Sequence, residues 1–311
     1  MSTPIGLSEQ MLCAYVALQH LQEGRPLIDI AEELELSRFK VGRMVRRARE
    51  TGLIEVRLNM PEVIDTHLSR KVAQKFGLQS VIAVETSSDE PSQVRKDLAR
   101  VGARVVRETV NEDDVIGLTS GRTIVDMCRV VGEFPNCEVV QLTGVATSTW
   151  NQGMQAILSL GVATNRIFPL HAPLVTTDAP AARAITAQPS IIRSLKRLDH
   201  ISKAVLSIGG WPNSSLLATQ LSEWNEMSQA RSLGVVSELG TSLLTTNGAA
   251  VPHLTSRTIG ISTEQLASVP HKIAIGGGHG KHDAVLAVLR SELVDVLITD
   301  IRTAEYACRL G

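Results

Sequence analysis

At 311 residues, 43% of them hydrophobic, the chain exceeds one small domain and can build a sizeable core, so two domains are expected. A formal net charge of -1 excludes bulk basicity as a sign of nucleic-acid binding, which must be read from where the 31 Lys and Arg residues lie. An aromatic content of 3% argues against single strands stacked on exposed rings, and no apolar run reaches the roughly 18 residues of a membrane helix.

The opening MSTPIGLSEQM lacks a charged start before an apolar run, so a soluble cytoplasmic protein is expected, with no membrane contact. Ser8 is placed to cap a first helix with Met11, Leu12, Tyr15, Val16, Leu18 and Leu21 on its apolar stripe, stopped by Gly24 and Pro26. LIDIAEEL predicts a short second helix with Ile28, Ala31 and Leu34 at helical spacing. Glu35, Leu36 and Ser37 make a tight connection, and Ser37 caps RFKVGRMVRRARE. In this third helix Val41, Met44, Val45 and Ala48 share one side, while Arg38, Lys40, Arg43, Arg46, Arg47 and Arg49 spread over the rest.

A helix-turn-helix places the start of its second motif helix in the major groove of double-stranded DNA. That puts Ser37, Arg38, Phe39, Lys40 and Arg43 near base edges, with Arg46, Arg47 and Arg49 on phosphates. The alternative is a solvated basic face. LIEVRL after Gly52 reads as a half-buried strand, a small wing. These elements make up residues 1–60. Residues 61–77 are expected to form a connecting helix from Pro61 to Gly77 with Ile64, Leu68, Val72 and Phe76 along one side. A linker, a core helix and a dimer contact all remain open for it.

From 78 to 311, strand-like runs alternate with amphipathic helices: VIAV, VIGL, VVQL, AVLSI, VVSEL, RTIGI, KIAIG and VDVLIT. The pattern predicts an α/β domain with a mainly parallel sheet covered on both faces, and ligands in such folds gather at the carboxyl ends of the strands. There stand Thr119, Ser120, Gly121, Arg122 and Thr123, whose N–H groups, hydroxyls and guanidinium suit a phosphate; an ordinary Gly turn with a capping Thr is the competing reading. Thr143 and Gly144 after VVQL, and Gly209 and Gly210 after AVLSI with Asn213 and Ser214 opening the next helix, extend the same rim. Glu238 is a candidate acceptor for sugar hydroxyls or a satisfied structural carboxylate. Lys281 opens a helix whose dipole disfavours a cation, which makes sense if an anion shares the site. His279 and His282 are read as solvated loop residues, and Asp300 as the cap of the last helix. No metal set, cofactor motif or catalytic acid/base pair is found. Cys13, Cys128, Cys137 and Cys308 form no CxxC pair, which argues against zinc and disulfides.

The stretches LELSRFKVGRMVRRARETGLIEV, GLTSGRT, SIGGW to VVSEL, GGGHGKHDAVLAVLR and VLITD together resemble the SorC family of sugar-binding transcriptional regulators, over nearly the whole chain. The resemblance implies a winged helix-turn-helix plus a larger Rossmann-like effector domain similar to sugar-phosphate isomerases. It also implies a small phosphorylated sugar or polyol effector, and a homo-oligomer, dimer or tetramer. It puts the phosphate loop on Thr119 to Thr123, an acidic sugar contact on Glu238 and a lysine contact on Lys281. Many relatives carry an aromatic where Ser120 stands and an acidic residue where Gly280 stands. Some bind sugar covalently through a lysine that TGVATSTWNQGMQ lacks, which excludes a Schiff base there. A sugar-phosphate isomerase-like enzyme and a ligand-independent DNA-binding scaffold are the competing functions.

Overall fold

A computed structural model describes residues 7–54, 64–146 and 155–310. The chain divides into two compact units between residues 61 and 62. The first contains α1 (Leu7–Leu21), α2 (Leu27–Glu33) and α3 (Arg38–Glu50). Gly24 ends the α1 turn at positive φ, and Glu35 takes the left-handed conformation in the connection before α3. The Ser37 hydroxyl accepts the Lys40 N–H and caps α3.

Cys13, Val16, Ala17, Ile30, Ala31, Val41, Met44, Val45 and Ala48 form the core of this unit. The α3 stripe lies inside as its spacing predicts. The other two stripes are corrected. Helix α1 already includes Leu7, so Ser8 lies within it, and it buries Cys13, Val16 and Ala17 while Met11 and Leu18 stay exposed. In α2 the buried pair is Ile30 and Ala31, with Ile28 exposed. Leu53 and Ile54 pack against this core; the rest of the expected wing lies outside the described residues.

The second unit opens with α4 (Thr66–Phe76). The helix starts later than Pro61 because Ile64 bridges to Val84 and the Asp65 carboxylate caps the Leu68 N–H at 2.8 Å. Val72 is buried in the main core of this unit, with Leu68 and Phe76 packed beside it, so α4 is a core helix. There follow β1 (Ser80–Val84), α5 (Pro91–Thr109), β2 (Val115–Leu118), α6 (Arg122–Val131), β3 (Glu138–Gln141), β4 (Ile167–Phe168), α7 (Ala179–Thr186), α8 (Pro189–Leu195), β5 (Lys203–Gly210), α9 (Leu216–Glu223) and α10 (Met227–Ser232). The chain closes with β6 (Val235–Leu239), β7 (Ser242–Thr245), β8 (Ala250–Val251), α11 (Thr263–Ser268), β9 (His271–Ile275), α12 (His282–Arg290), β10 (Val296–Asp300) and α13 (Ile301–Leu310).

The order β1-β10-β9-β5-β2-β3-β4 is parallel throughout, and β6, β7 and β8 extend it antiparallel from the far end of β5. Alternate residues feed opposite faces: Ile273 and Ile275 of β9 join α5 and α6, whereas Ala274 joins α4, α12 and α13. RTIGI is not a strand. Gly260 and Thr258 make isolated bridges to Thr143 and Val175, while Ile259 and Ile261 are buried.

Strands β2, β3 and β4 progress in one direction from the middle of the sheet, and β5, β9 and β10 in the other. The reversal between β2 and β5 leaves a crevice at their carboxyl ends, because successive connections leave toward opposite sides.

Candidate effector site

A cleft of about 880 Å³ opens at that reversal. It is lined by Thr119, Ser120, Gly121, Arg122, Thr123, Thr143, Gly209, Glu238 and Lys281. Gly144 is absent from the lining. A Cβ there would meet the Pro173 carbonyl oxygen at 2.4 Å, so this glycine serves the approach of one chain segment to another and not of a ligand.

The loop after β2 is fixed from β5. The Thr119 hydroxyl accepts the Ser207 N–H at 2.9 Å, and the Ser120 hydroxyl accepts from Gln141 Nε2 at 3.0 Å and lies 3.3 Å from Thr143 Oγ1. Both hydroxyls are thus engaged in shaping the loop. Gly121 is required, since a Cβ would lie 1.9 Å from Ser207 Oγ. It occupies the N-cap of α6 with no side-chain cap, which leaves the first N–H groups of that helix facing the cleft beside the exposed Arg122.

Glu238 is placed by the pairing of β6 with β5, directly opposite Gly209. Its Oε2 accepts from the Ser215 hydroxyl and, at 3.1 Å, from the Leu217 N–H. The carboxylate therefore holds the start of α9, and the competing structural role is real. Ser215 caps that helix, so α9 begins later than Asn213 and Ser214, both of which line the cleft. Burial raises the Glu238 pKa against the hydrogen bonds from Ser215, Leu217 and Leu216 and the nearby Lys281 charge.

Lys281 sits at the N-cap of α12, and its ammonium donates to the Ile208 carbonyl at 2.7 Å. Burial pushes its pKa down to about 8; Arg122 and Arg95 push the same way, and Glu238 opposes them. The glycines before it serve different needs: a Cβ on Gly277 would meet Asp300 Oδ2 at 2.2 Å, whereas Gly278, whose N–H donates to that oxygen at 2.6 Å, and Gly280 take the positive φ that side chains disfavour. Asp300 also accepts the Thr303 N–H at 3.0 Å, the expected capping bond at the start of α13.

Sequence reasoning missed Arg95, which projects from α5 into the lining and is tethered to Asp126 at 2.7 Å. Only the contact of α5 with α6 reveals it. His279 is an exposed loop residue, as expected, at the lining of the cleft, whereas His282 is half-buried at the start of α12 with its ring 5.1 Å from that of Tyr306 and so is not a solvated loop residue. Among the described residues no group of three potential ligands suits a metal ion.

In the first unit Ser37, Arg38, Phe39, Lys40, Arg43, Arg46 and Arg49 are exposed along α3. Arg47 differs: it is half-buried and paired to Glu9 of α1 at 2.9 Å.

Residues 63–307 match the family model described as "Putative sugar-binding domain". The chain belongs to this sugar-binding domain family. Similarity to proteins named as transcription regulators runs almost end to end. The chain is 28% identical to the "Uncharacterized transcriptional regulator YjhU" of Escherichia coli K12, over 94% of this chain and 93% of that protein. It is 26% identical to the Deoxyribonucleoside regulator of Bacillus subtilis 168, over 95% and 96%. The fold matches that of the full-length sorbitol operon regulator SorC from Klebsiella pneumoniae, with a TM-score of 0.69 and 20% identity, over 97% of this chain and 99% of that one. Relatives of this sugar-binding family therefore carry the name of regulator, and no helix among the described residues is long and apolar enough to cross a membrane.

Proposed function

We propose that the protein is a transcription regulator: residues 1–60 bind double-stranded operator DNA as a winged helix-turn-helix, and the family domain binds a small phosphorylated sugar or polyol that sets operator affinity. The observation that carries the effector half is the convergence of the uncapped α6 N-terminus, Arg122, Arg95 and Lys281 on one cleft, where cations outnumber the single buried carboxylate of Glu238. Such a site favours a dianion attached to a hydroxylated body. The DNA half is supported by the predominantly basic exposed face of α3, where Glu50 at the far end is the lone acidic residue, with Phe39 85% exposed at its start beside Arg38 and Lys40, where a ring can meet a thymine methyl group. Arg47 acts by bracing α1 against α3 rather than on phosphate.

Coupling requires that the ligand bind two arrangements of a homo-oligomer with different affinity. Catalysis is disfavoured, because Glu238 is occupied with the α9 backbone and Ser215. The test is thermal shift with phosphorylated pentoses, hexoses and polyols, alongside a turnover assay on each. A melting-temperature rise in wild type that is lost in Arg122→Ala supports the reading. Turnover of a stabilising sugar phosphate would favour the isomerase-like enzyme, and the absence of any stabilising ligand would favour a DNA-binding scaffold.

A further inference from the structure

We propose that α1 is a self-association surface, through which two copies of this chain pair their first units by crossing α1 against α1 at Ala14. Packing within the unit uses Cys13, Val16 and Ala17 and leaves a second apolar face outward. That face is Leu7, Met11, Ala14, Leu18 and Leu21, with Leu7 75%, Met11 66%, Leu18 46% and Leu21 38% exposed. The spacing runs four, three, four, three, which is the seam repeat of two packed helices. Contiguous apolar surface of this kind on a soluble unit marks an interface.

The occupant is identified by the pattern of size and charge. Sizes are symmetric about Ala14: large, large, small, large, large. A two-fold axis there sets the small side chains at the crossing, where backbones approach, and meets large side chains with large ones beyond it. The face therefore complements itself. Charge agrees, since Ser8, Gln10, Tyr15 and Gln22 flank the seam without charge, and the carboxylates near it are paired within the unit, Glu9 with Arg47 and Glu33 with Arg25 and the Tyr15 hydroxyl. A second copy thus meets no unpaired like charge, and an acidic or basic peptide would have to break one of these pairs to gain a partner. Five side chains supply less than the roughly 800 Å² per partner of a standard interface, so the seam aligns units that other contacts or DNA also hold.

The experiment uses the full chain in a Cys308→Ser background, whose remaining Cys13, Cys128 and Cys137 are buried. Ala14→Cys is oxidised mildly beside Asp29→Cys, an exposed position of α2 off the seam. Ala14→Cys is expected to become mostly covalent dimer and Asp29→Cys to stay monomeric, and adding Leu18→Glu is expected to cut the Ala14 cross-link about tenfold. Leu18 lies outside the core of the unit, so an unchanged melting temperature is expected to accompany that loss. No Ala14 cross-link, equal cross-linking at both positions, or indifference to Leu18→Glu overturns the proposal. The inference rests on the proposed function only in calling the paired units DNA readers. If the cross-link forms while Arg43→Ala leaves operator binding intact, the reader assignment fails and the pairing stands.

Discussion

Replacing Lys281 with Met keeps the stem and removes the charge at the point where cleft, helix α12 and strand β5 meet. A charge-assisted hydrogen bond to a phosphate is worth about 1.5–3 kcal/mol, so affinity for a sugar phosphate should fall about 10- to 150-fold. Stability should change less. The variant leaves the Ile208 carbonyl without its 2.7 Å donor, but it also removes a buried charge that Arg122 and Arg95 repel. The pH profile separates a direct contact from a positional one. The Lys281 pKa is depressed to about 8, so the ammonium that attracts the ligand is present below that pH and lost above it. A phosphate ester remains dianionic from pH 7 to 9, so wild-type affinity should drop about tenfold across that interval. Titration calorimetry at pH 7, 8 and 9 reads both effects. If Lys281→Met binds as tightly as wild type, or keeps the same fall with pH, Lys281 does not face the ligand charge. The same depressed pKa makes the Lys281 contribution to folding stability rise with pH between about 8 and the ordinary lysine value of 10.5, because the unfolded chain there holds the extra proton.

Other substitutions probe the remaining elements. Gly121→Ala should cost about 1–3 kcal/mol and abolish sugar-phosphate binding through its clash with Ser207, and Ser207→Gly in the same chain should restore a good part of both in denaturation and calorimetry. Glu238→Ala should lower the melting temperature by leaving the Ser215 hydroxyl and Leu217 N–H without their acceptor, at about 1–3 kcal/mol for each; a variant as stable as wild type would place the α9 anchor elsewhere. Arg43→Ala should weaken operator binding and flatten its salt dependence while ligand-induced thermal shifts persist. Arg47→Ala should cost at most about 1 kcal/mol of stability and leave the salt slope almost unchanged, as its charge is spent on Glu9; an equal loss of slope in both variants would return Arg47 to the DNA face.

Helix α3 was legible because cap, apolar spacing and a strong excess of basic residues agree in the same segment. Helix α1 was misread for a physical reason: it is apolar on two faces, and periodicity alone does not distinguish Val16, facing its own core, from Met11 and Leu18, facing outward. The parallel strands of the second unit stood out as short apolar runs, whereas RTIGI imitates one because Ile259 and Ile261 are buried without a laddered partner. Most of the cleft was legible in the loops at the carboxyl ends of the strand-like runs, where a parallel sheet gathers its ligands. Gly144 misled because a glycine needed beside Pro173 leaves the same trace as one needed beside a ligand. Arg95 left no local trace at all: its position depends on Asp126, reached only when α5 and α6 pack.

The central claim is coupling between cleft and DNA, and it is tested by the affinity of the full chain for a duplex selected from a random pool by this protein, measured by fluorescence anisotropy with and without each sugar phosphate that raises its melting temperature. At least one such ligand should change the operator Kd by about fivefold or more, and Lys281→Met should lose that response while still binding the duplex. Equal Kd values in the presence and absence of every stabilising ligand would contradict the account.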